Sequence, residues 1–417
     1  MSALAAPSVE PLSAPIAVRT ARNPVIDILR GIAMFGVIFV NFHQTFRLTV
    51  PESSVGPTEA LIEWVTWIGF EQKAAATFAL LFGIGFAIML RSATAAGRNI
   101  VPFYLRRLGI LALFGIAVEA FTGYAILLEL ALWGVPLLLV RNWSSRRLLV
   151  LAVASTLALP VYSLSLAARE RMTGAQVAAE SQSAASAGKP ATYTAEVAGR
   201  LEQMERSYTS VRAIIPGSTF VLYLIGLLAL RRGVFDEPRR HVRLITGAMA
   251  FGFLSWASYW LLLPFIPDAW TSWSRYAWPI RYGMGIVSDQ WLAFTYVGAL
   301  LLLLTYRQEW ISRLRAFAAV GRTSLTVYVL QAIALYLLHS AFVLGLPLRP
   351  YLRVAISCAL FVLLALASRY WLSRFRMGPL EWIWRAGTYL QLPPMKLGAQ
   401  EPHPVVPADP SLGGVVT

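Results

Sequence analysis

YLRVAISCALFVLLALASRYWL, residues 351–372, carries two charged side chains, Arg353 and Arg369, one near each end. A helix rises about 1.5 Å per residue, so about 20 mostly apolar residues cross the hydrocarbon core of a bilayer. This stretch meets that length, and its spacing predicts a transmembrane helix. Similar stretches recur at 25–45, 71–90, 108–123, 125–140, 148–166, 213–230, 244–265, 287–305 and 323–345. The third and fourth are short and separated only by a turn near Gly123, which predicts a tight helical hairpin. Residues 58–70 (TEALIEWVTWIGF) are mixed and aromatic; they either lie in the interface or begin the second span early.

Composition agrees. Hydrophobic residues make up 57% of the 417 and charged residues only 14%, where a soluble domain carries about a quarter charged. The expected fold class is all-α, a polytopic transmembrane helix bundle of about ten spans over 25–376. A flexible cytoplasmic N-terminus occupies 1–24, an interfacial cytoplasmic segment 377–396 and a disordered tail 397–417. The first 20 residues are rich in Ala, Pro and Ser without a continuous apolar core, unlike a cleaved signal peptide.

The formal net charge of +15 comes from short clusters between apolar stretches. A nucleic-acid binder gathers its basic residues on a polar surface, so no nucleic-acid partner is expected. Arg91, Arg98, Arg106 and Arg107 follow span two, Arg141, Arg146 and Arg147 follow span four, and Arg231 to Arg243 follow span six. Arg307 to Arg322 and Arg374 to Lys396 continue the alternation. Every second connection is basic, which puts those connections and both termini in the cytoplasm. The Trp- and Tyr-rich stretch 264–286 reads as an outer aromatic belt or as a platform for substrate. Cys358 is the only cysteine, which excludes an intrachain disulfide and a cysteine metal cage.

Polar groups inside hydrocarbon are costly and become site candidates by default. Asp27 and Arg30 are three apart and share a helical face. Asn41 and His43 lie near the outer end of span one, and His339 ends span nine on the same side. Glu119 and Glu129 sit in spans three and four; Lys73 enters span two and is a cationic partner in reach of the bundle. The unperturbed imidazole changes charge near neutrality, which makes His43 a general-base candidate. No carboxylate–histidine metal spacing, Ser/His/Asp arrangement or phosphate loop is present.

Three segments carry a family resemblance. Asp27-x-x-Arg30-Gly31-Ile32-Ala33 opens the first span. Lys73 precedes Leu81-Phe82-Gly83-Ile84-Gly85-Phe86. Gly321-Arg322-Thr323-Ser324-Leu325-Thr326-Val327-Tyr328 with Gln331 is followed by Met377-Gly378-Pro379-Leu380-Glu381-Trp382-Ile383-Trp384-Arg385. Together they resemble the YeiB-like family of bacterial membrane proteins, whose C-terminal domain of unknown function 418 would span about 230–396. Within the last segment, Pro379 starts a short interfacial helix and Glu381 and Arg385 fall at i and i+4, able to pair.

The resemblance implies a multi-pass protein of the bacterial inner (plasma) membrane, related to transmembrane acyltransferases. Such proteins move an acyl group from a cytoplasmic donor to a saccharide, lipid or small-molecule acceptor. They use acyl-CoA as co-substrate rather than a resident cofactor. Arg30, Arg106, Arg107 and Arg322 would attract the donor phosphates, and His43 or Glu119 would serve as general base. Asp27, Asn41, Lys73, Gln331, His339, Glu381 and Arg385 complete the candidate binding residues, with no metal site. The sequence departs from the pattern at three places. Asn41 stands where the acyltransferase-three group has a His, Val118-Glu119 stands at the family's span-three His, and Tyr124-Ala125-Ile126-Leu127 replaces Gly-Asp-Ile-Leu. The alternatives are a transporter with a polar path past Glu119 and Glu129, and a catalytically degenerate relative with a structural role.

Overall fold

A computed structural model of the chain describes residues 23–47, 56–123, 126–158, 192–209, 218–265, 277–340 and 342–398. Nearly all of the expected flexible N-terminus and disordered tail fall outside them, as do Tyr124, Ala125 and residues 266–276 of the aromatic stretch; of the expected turn, Gly123 is described, ending α4 with φ +83°. The described part is all-α. Its long helices are α1 Pro24–Arg47, α3 Lys73–Ala95, α4 Ile100–Thr122, α9 Val242–Leu262, α10 Ala277–Tyr306 and α14 Pro350–Leu372. Shorter ones are α2 Pro57–Phe70, α5 Leu127–Val140, α7 Tyr193–Thr209, α8 Ser218–Arg231, α11 Glu309–Arg313, α12 Arg315–Arg322, α13 Ser324–His339 and α15 Pro379–Tyr389. A further helix, α6, covers 145–158. Among the described residues there is no strand, only one bridge between Phe375 and Lys396.

Among the described residues six spans are long and apolar enough to cross a membrane, or seven if α12 and α13, bent by 86°, are one broken span. The polytopic bundle stands, while several boundaries move. Helix α4 begins at Ile100, where Asn99 caps it by accepting from Val101 N–H, rather than at 108. Arg106 and Arg107 lower the hydropathy of that turn but do not break the helix, because their guanidinium groups lie on aromatic rings, Phe103 and Trp384. Span nine is shorter than 323–345, since α13 ends at His339. Residues 58–70 form a helix of their own: α2 breaks from α3 at Gln72, whose φ is +64°. Trp64 and Leu61 of α2 are exposed. Two ion pairs, Arg349–Glu59 at 3.2 Å and Arg353–Glu63 at 3.1 Å, strap α2 to the start of α14.

Helix α1 is the centre of the bundle and packs against α12, α14, α3 and α13. Its tightest crossing is with α12. A methyl on Gly31 would collide with the Phe317 carbonyl, and one on Gly321 with the Asp27 carbonyl. Small residues at such crossings let helix backbones touch where no hydrophobic driving force separates helix from lipid. The RG of the first span and the GR of residues 321–322 are therefore two halves of one contact.

Contacts also collect the arginine-rich connections at one end. Arg91 pairs with Asp236 at 2.6 Å. Arg231 donates to the Trp143 carbonyl at 2.7 Å, Asn23 to the Phe235 carbonyl at 3.1 Å, and Arg322 to the Arg376 carbonyl at 3.0 Å. The other end holds His43 and Phe46 of α1, His339 of α13 and helix α7. There Arg200 donates to the Ala120 and Phe121 carbonyls, so α7 satisfies the last turn of α4.

Candidate functional site

A cavity of about 630 Å³ opens at the basic end, within the roughly 300–1,000 Å³ of small-molecule sites. Its mouth is lined by Arg30, Arg98, Arg107, Arg322, Arg376 and Arg385, six arginines against one carboxylate, Glu381. Helix α3 forms one wall from Ala93 inward to Phe78, about 22 Å at the α-helical rise. The LFGIGF block fits this position. Gly83 lets α3 touch the Tyr223 carbonyl of α8, and Gly85 faces the Arg30 guanidinium at the cavity.

Each arginine is held in place by its element. Arg30 lies 3.7 Å from Asp27, the pairing their spacing predicts. Arg107 stacks on Trp384 of α15 with its guanidinium 3.6 Å from the ring centre, while Trp384 Nε1 donates to the Arg107 carbonyl at 2.8 Å. Helix α15 thus lies across the mouth, starting at Pro379 as expected. Arg385 stands near the Tyr389 ring. Among the described residues neither Arg107 nor Arg385 has a carboxylate partner.

The expected Glu381–Arg385 pair does not form. Glu381 instead accepts from Leu325 N–H at 2.6 Å, Thr326 N–H at 3.1 Å and the Thr326 hydroxyl at 2.6 Å. It caps the first turn of α13 from another helix, because the bend before Ser324 leaves those amides without intrahelical acceptors. Burial pushes the Glu381 carboxyl above the ordinary glutamate range, against the pull of these bonds. Tyr104 lines the cavity with its ring edge, whereas its hydroxyl is buried beside Gly134 of α5 and has no partner among the described residues.

Other expected residues lie elsewhere. Arg106 sits over the Phe103 ring rather than at the cavity. Lys73 pairs with Asp289 of α10 at 2.6 Å, both buried, rather than with Glu119 or Glu129. Asn41 is half-buried on α1 and does not line the cavity. Gln331 is fully buried with both amide atoms lacking a partner among the described residues. His43 is buried, and His339 meets the Phe46 ring edge-on at 5.4 Å. Glu129 accepts from the Thr219 hydroxyl at 2.8 Å, while Glu119 has one buried oxygen without a partner among the described residues. Burial, then the negative charges of Glu119 and Glu129, raises the Tyr208 hydroxyl of α7 above its usual range. None of His43, Glu119 and His339 lines the cavity, so they do not share a site there.

Sequence reasoning missed Arg98, Arg376, Tyr104 and Asp289. A lone Asp inside the apolar run 287–305 was a signal for the last; the others carry none, since they meet only in three dimensions.

With the cavity in view, two family matches divide the chain. Residues 229–391 match "Protein of unknown function (DUF418)". The C-terminal region is a DUF418 domain. Residues 22–188 match "Heparan-alpha-glucosaminide N-acetyltransferase, catalytic", so the N-terminal region is acyltransferase-like. Arg30, Arg98 and Arg107 come from the acyltransferase-like region and Arg322, Arg376 and Arg385 from the DUF418 domain; the cavity lies where the two meet. Two similar proteins are known by sequence. One is "Uncharacterized protein YxaH" of Bacillus subtilis (strain 168), 27% identical over 90% of this chain and 96% of that protein. The other is "Uncharacterized 39.9 kDa protein in amylase 3'region" of Bacillus acidopullulyticus, 26% identical over 88% and 94%. No solved structure matches.

Proposed function

We propose that this protein is an acyltransferase-like enzyme of the bacterial plasma membrane, whose cavity takes a phosphate-bearing acyl donor from the cytoplasm. The carrying observation is the mouth: six arginines converge on a pocket whose single carboxylate caps α13. Guanidinium forks match phosphate oxygens bidentately, and a cleft of one sign focuses the field on an anion. Acyl-CoA has that chemistry, which agrees with the acyltransferase-like N-terminal region. A saccharide, lipid or small-molecule acceptor would complete the reaction. His43 and Glu119, the general-base candidates from the sequence, both lie at the end opposite the mouth and line no part of the cavity. That is out of a base's reach from a thioester at the mouth; the thioester-loss assay tests them directly.

Displacement of labelled acyl-CoA from protein in nanodiscs tests the donor site. Arg107→Gln and Arg322→Gln each lower affinity, and raised salt lowers it further. Binding that ignores both substitutions removes the arginines as the phosphate site. Thioester loss in membranes, wild type against His43→Ala and Glu119→Gln, tests the base; unchanged turnover in both eliminates them.

One observation favours a second reading, a carrier or catalytically degenerate lipid-binding protein: no histidine among the described residues lines the cavity. Flux of an anionic lipid in proteoliposomes without any thioester loss would establish it.

A further inference from the structure

We infer that the transferred acyl group is a hydrocarbon chain longer than acetyl and that the inner cavity is its socket. This rests on reading the mouth as the phosphate site. Two kinds of wall meet in the cavity. Arg30 reaches α3 at the level of Gly85, and the other lining arginines come from the basic end of the bundle: Arg98 before α4, Arg107 in its first turns, Arg322 at the end of α12, and Arg376 and Arg385 before and within α15. Inward from Gly85, Phe82, Leu81 and Phe78 of α3 face Val37 of α1 and Leu127 of α5. That inner stretch runs seven residues along α3, about 10 Å. Among the described residues it is lined without a charged side chain.

Two donor parts compete for this space. If the pantetheine arm of a CoA ester threaded it, the arm's amides would lie among phenyl and leucyl groups without partners, which is unfavourable. A hydrocarbon chain meets no such penalty, and each methylene transferred from water gains about fourfold in affinity. The chain therefore fills the socket, and the thioester rests at its entrance beside Arg30. His43 is thirteen residues beyond Arg30 on α1, about 20 Å away. Donor binding is expected to be indifferent to it.

The test uses the full-length protein in nanodiscs with free CoA, acetyl-CoA, octanoyl-CoA and phosphatidic acid as competitors, and empty nanodiscs as background. Octanoyl-CoA is expected to bind at least about tenfold tighter than acetyl-CoA. Val37→Phe shortens the socket and abolishes that advantage while free CoA binds as before; Leu127→Phe repeats the test from the facing helix. Equal affinity for acetyl- and octanoyl-CoA overturns the inference and leaves the donor site standing. Absence of any CoA binding, with phosphatidic acid bound and lost on Val37→Phe, keeps the socket but assigns it to a membrane lipid and ends the donor reading. Octanoyl preference that survives both Phe substitutions places the chain elsewhere and sinks the proposal.

Discussion

Tyr104 and Lys73 show opposite ways for a polar group to sit inside an apolar bundle. The Tyr104 hydroxyl is buried without a partner among the described residues, so the folded protein gains nothing from it. Replacing an unpaired buried hydroxyl is close to neutral. Tyr104→Phe is expected to leave the unfolding temperature in detergent within a degree or two, about the effect of a few tenths of a kcal/mol. Lys73 is the reverse, with Asp289 at 2.6 Å. Breaking a buried pair leaves one bare charge and costs about 3–5 kcal/mol, whereas replacing both partners by apolar residues is often neutral. Lys73→Met should therefore lower thermal stability strongly, and Lys73→Met with Asp289→Leu should recover most of it. A double variant as unstable as the single one would mean that the pair itself carries the stability.

At the scale of elements, the two straps between α2 and α14 look alike but differ in burial. Arg349 is half-exposed, whereas Arg353 is buried and also donates to the Leu348 carbonyl at 2.7 Å. Exposed pairs contribute about 0–1 kcal/mol, so Arg349→Ala should scarcely move the melting curve. Arg353→Ala should destabilise by about 3 kcal/mol and expose α2 to limited proteolysis. Helix α15 makes a pH prediction through Glu381. Its raised carboxyl means that the folded state holds this proton more tightly than the unfolded chain does. Stability therefore falls as pH rises from the ordinary glutamate value of 4.5 through the raised one. Glu381→Gln should flatten that dependence in urea or thermal titrations.

At the scale of the whole molecule, the alternation of basic connections forecasts that the mouth faces the cytoplasm. In a Cys358→Ser background, Arg146→Cys and Gln391→Cys should resist an impermeant maleimide in intact cells, while Leu344→Cys should react. The reverse pattern would invert the topology. Hydropathy made the bundle legible, because a lipid-facing helix writes its length into consecutive residues, as 351–372 does. It misplaced the start of α4, because Arg106 and Arg107 look the same to a hydropathy window whether they end a helix or line a cavity. Positive-inside bias explains each arginine singly, so no spacing could separate Arg107, in the mouth, from Arg106, on Phe103. The Glu381 cap was equally hidden, since its partners lie 55 and 56 residues away. The position of α15 has a mechanical consequence. Glu381 and Trp384 are neighbours on one turn, one gripping the first amides of α13 and the other clasping Arg107. The door and the hinge-pin are the same eleven-residue helix. Any movement wide enough to admit a bulky headgroup must loosen the start of α13 at the same moment, so occupancy of the cavity and order in the DUF418 domain rise and fall together.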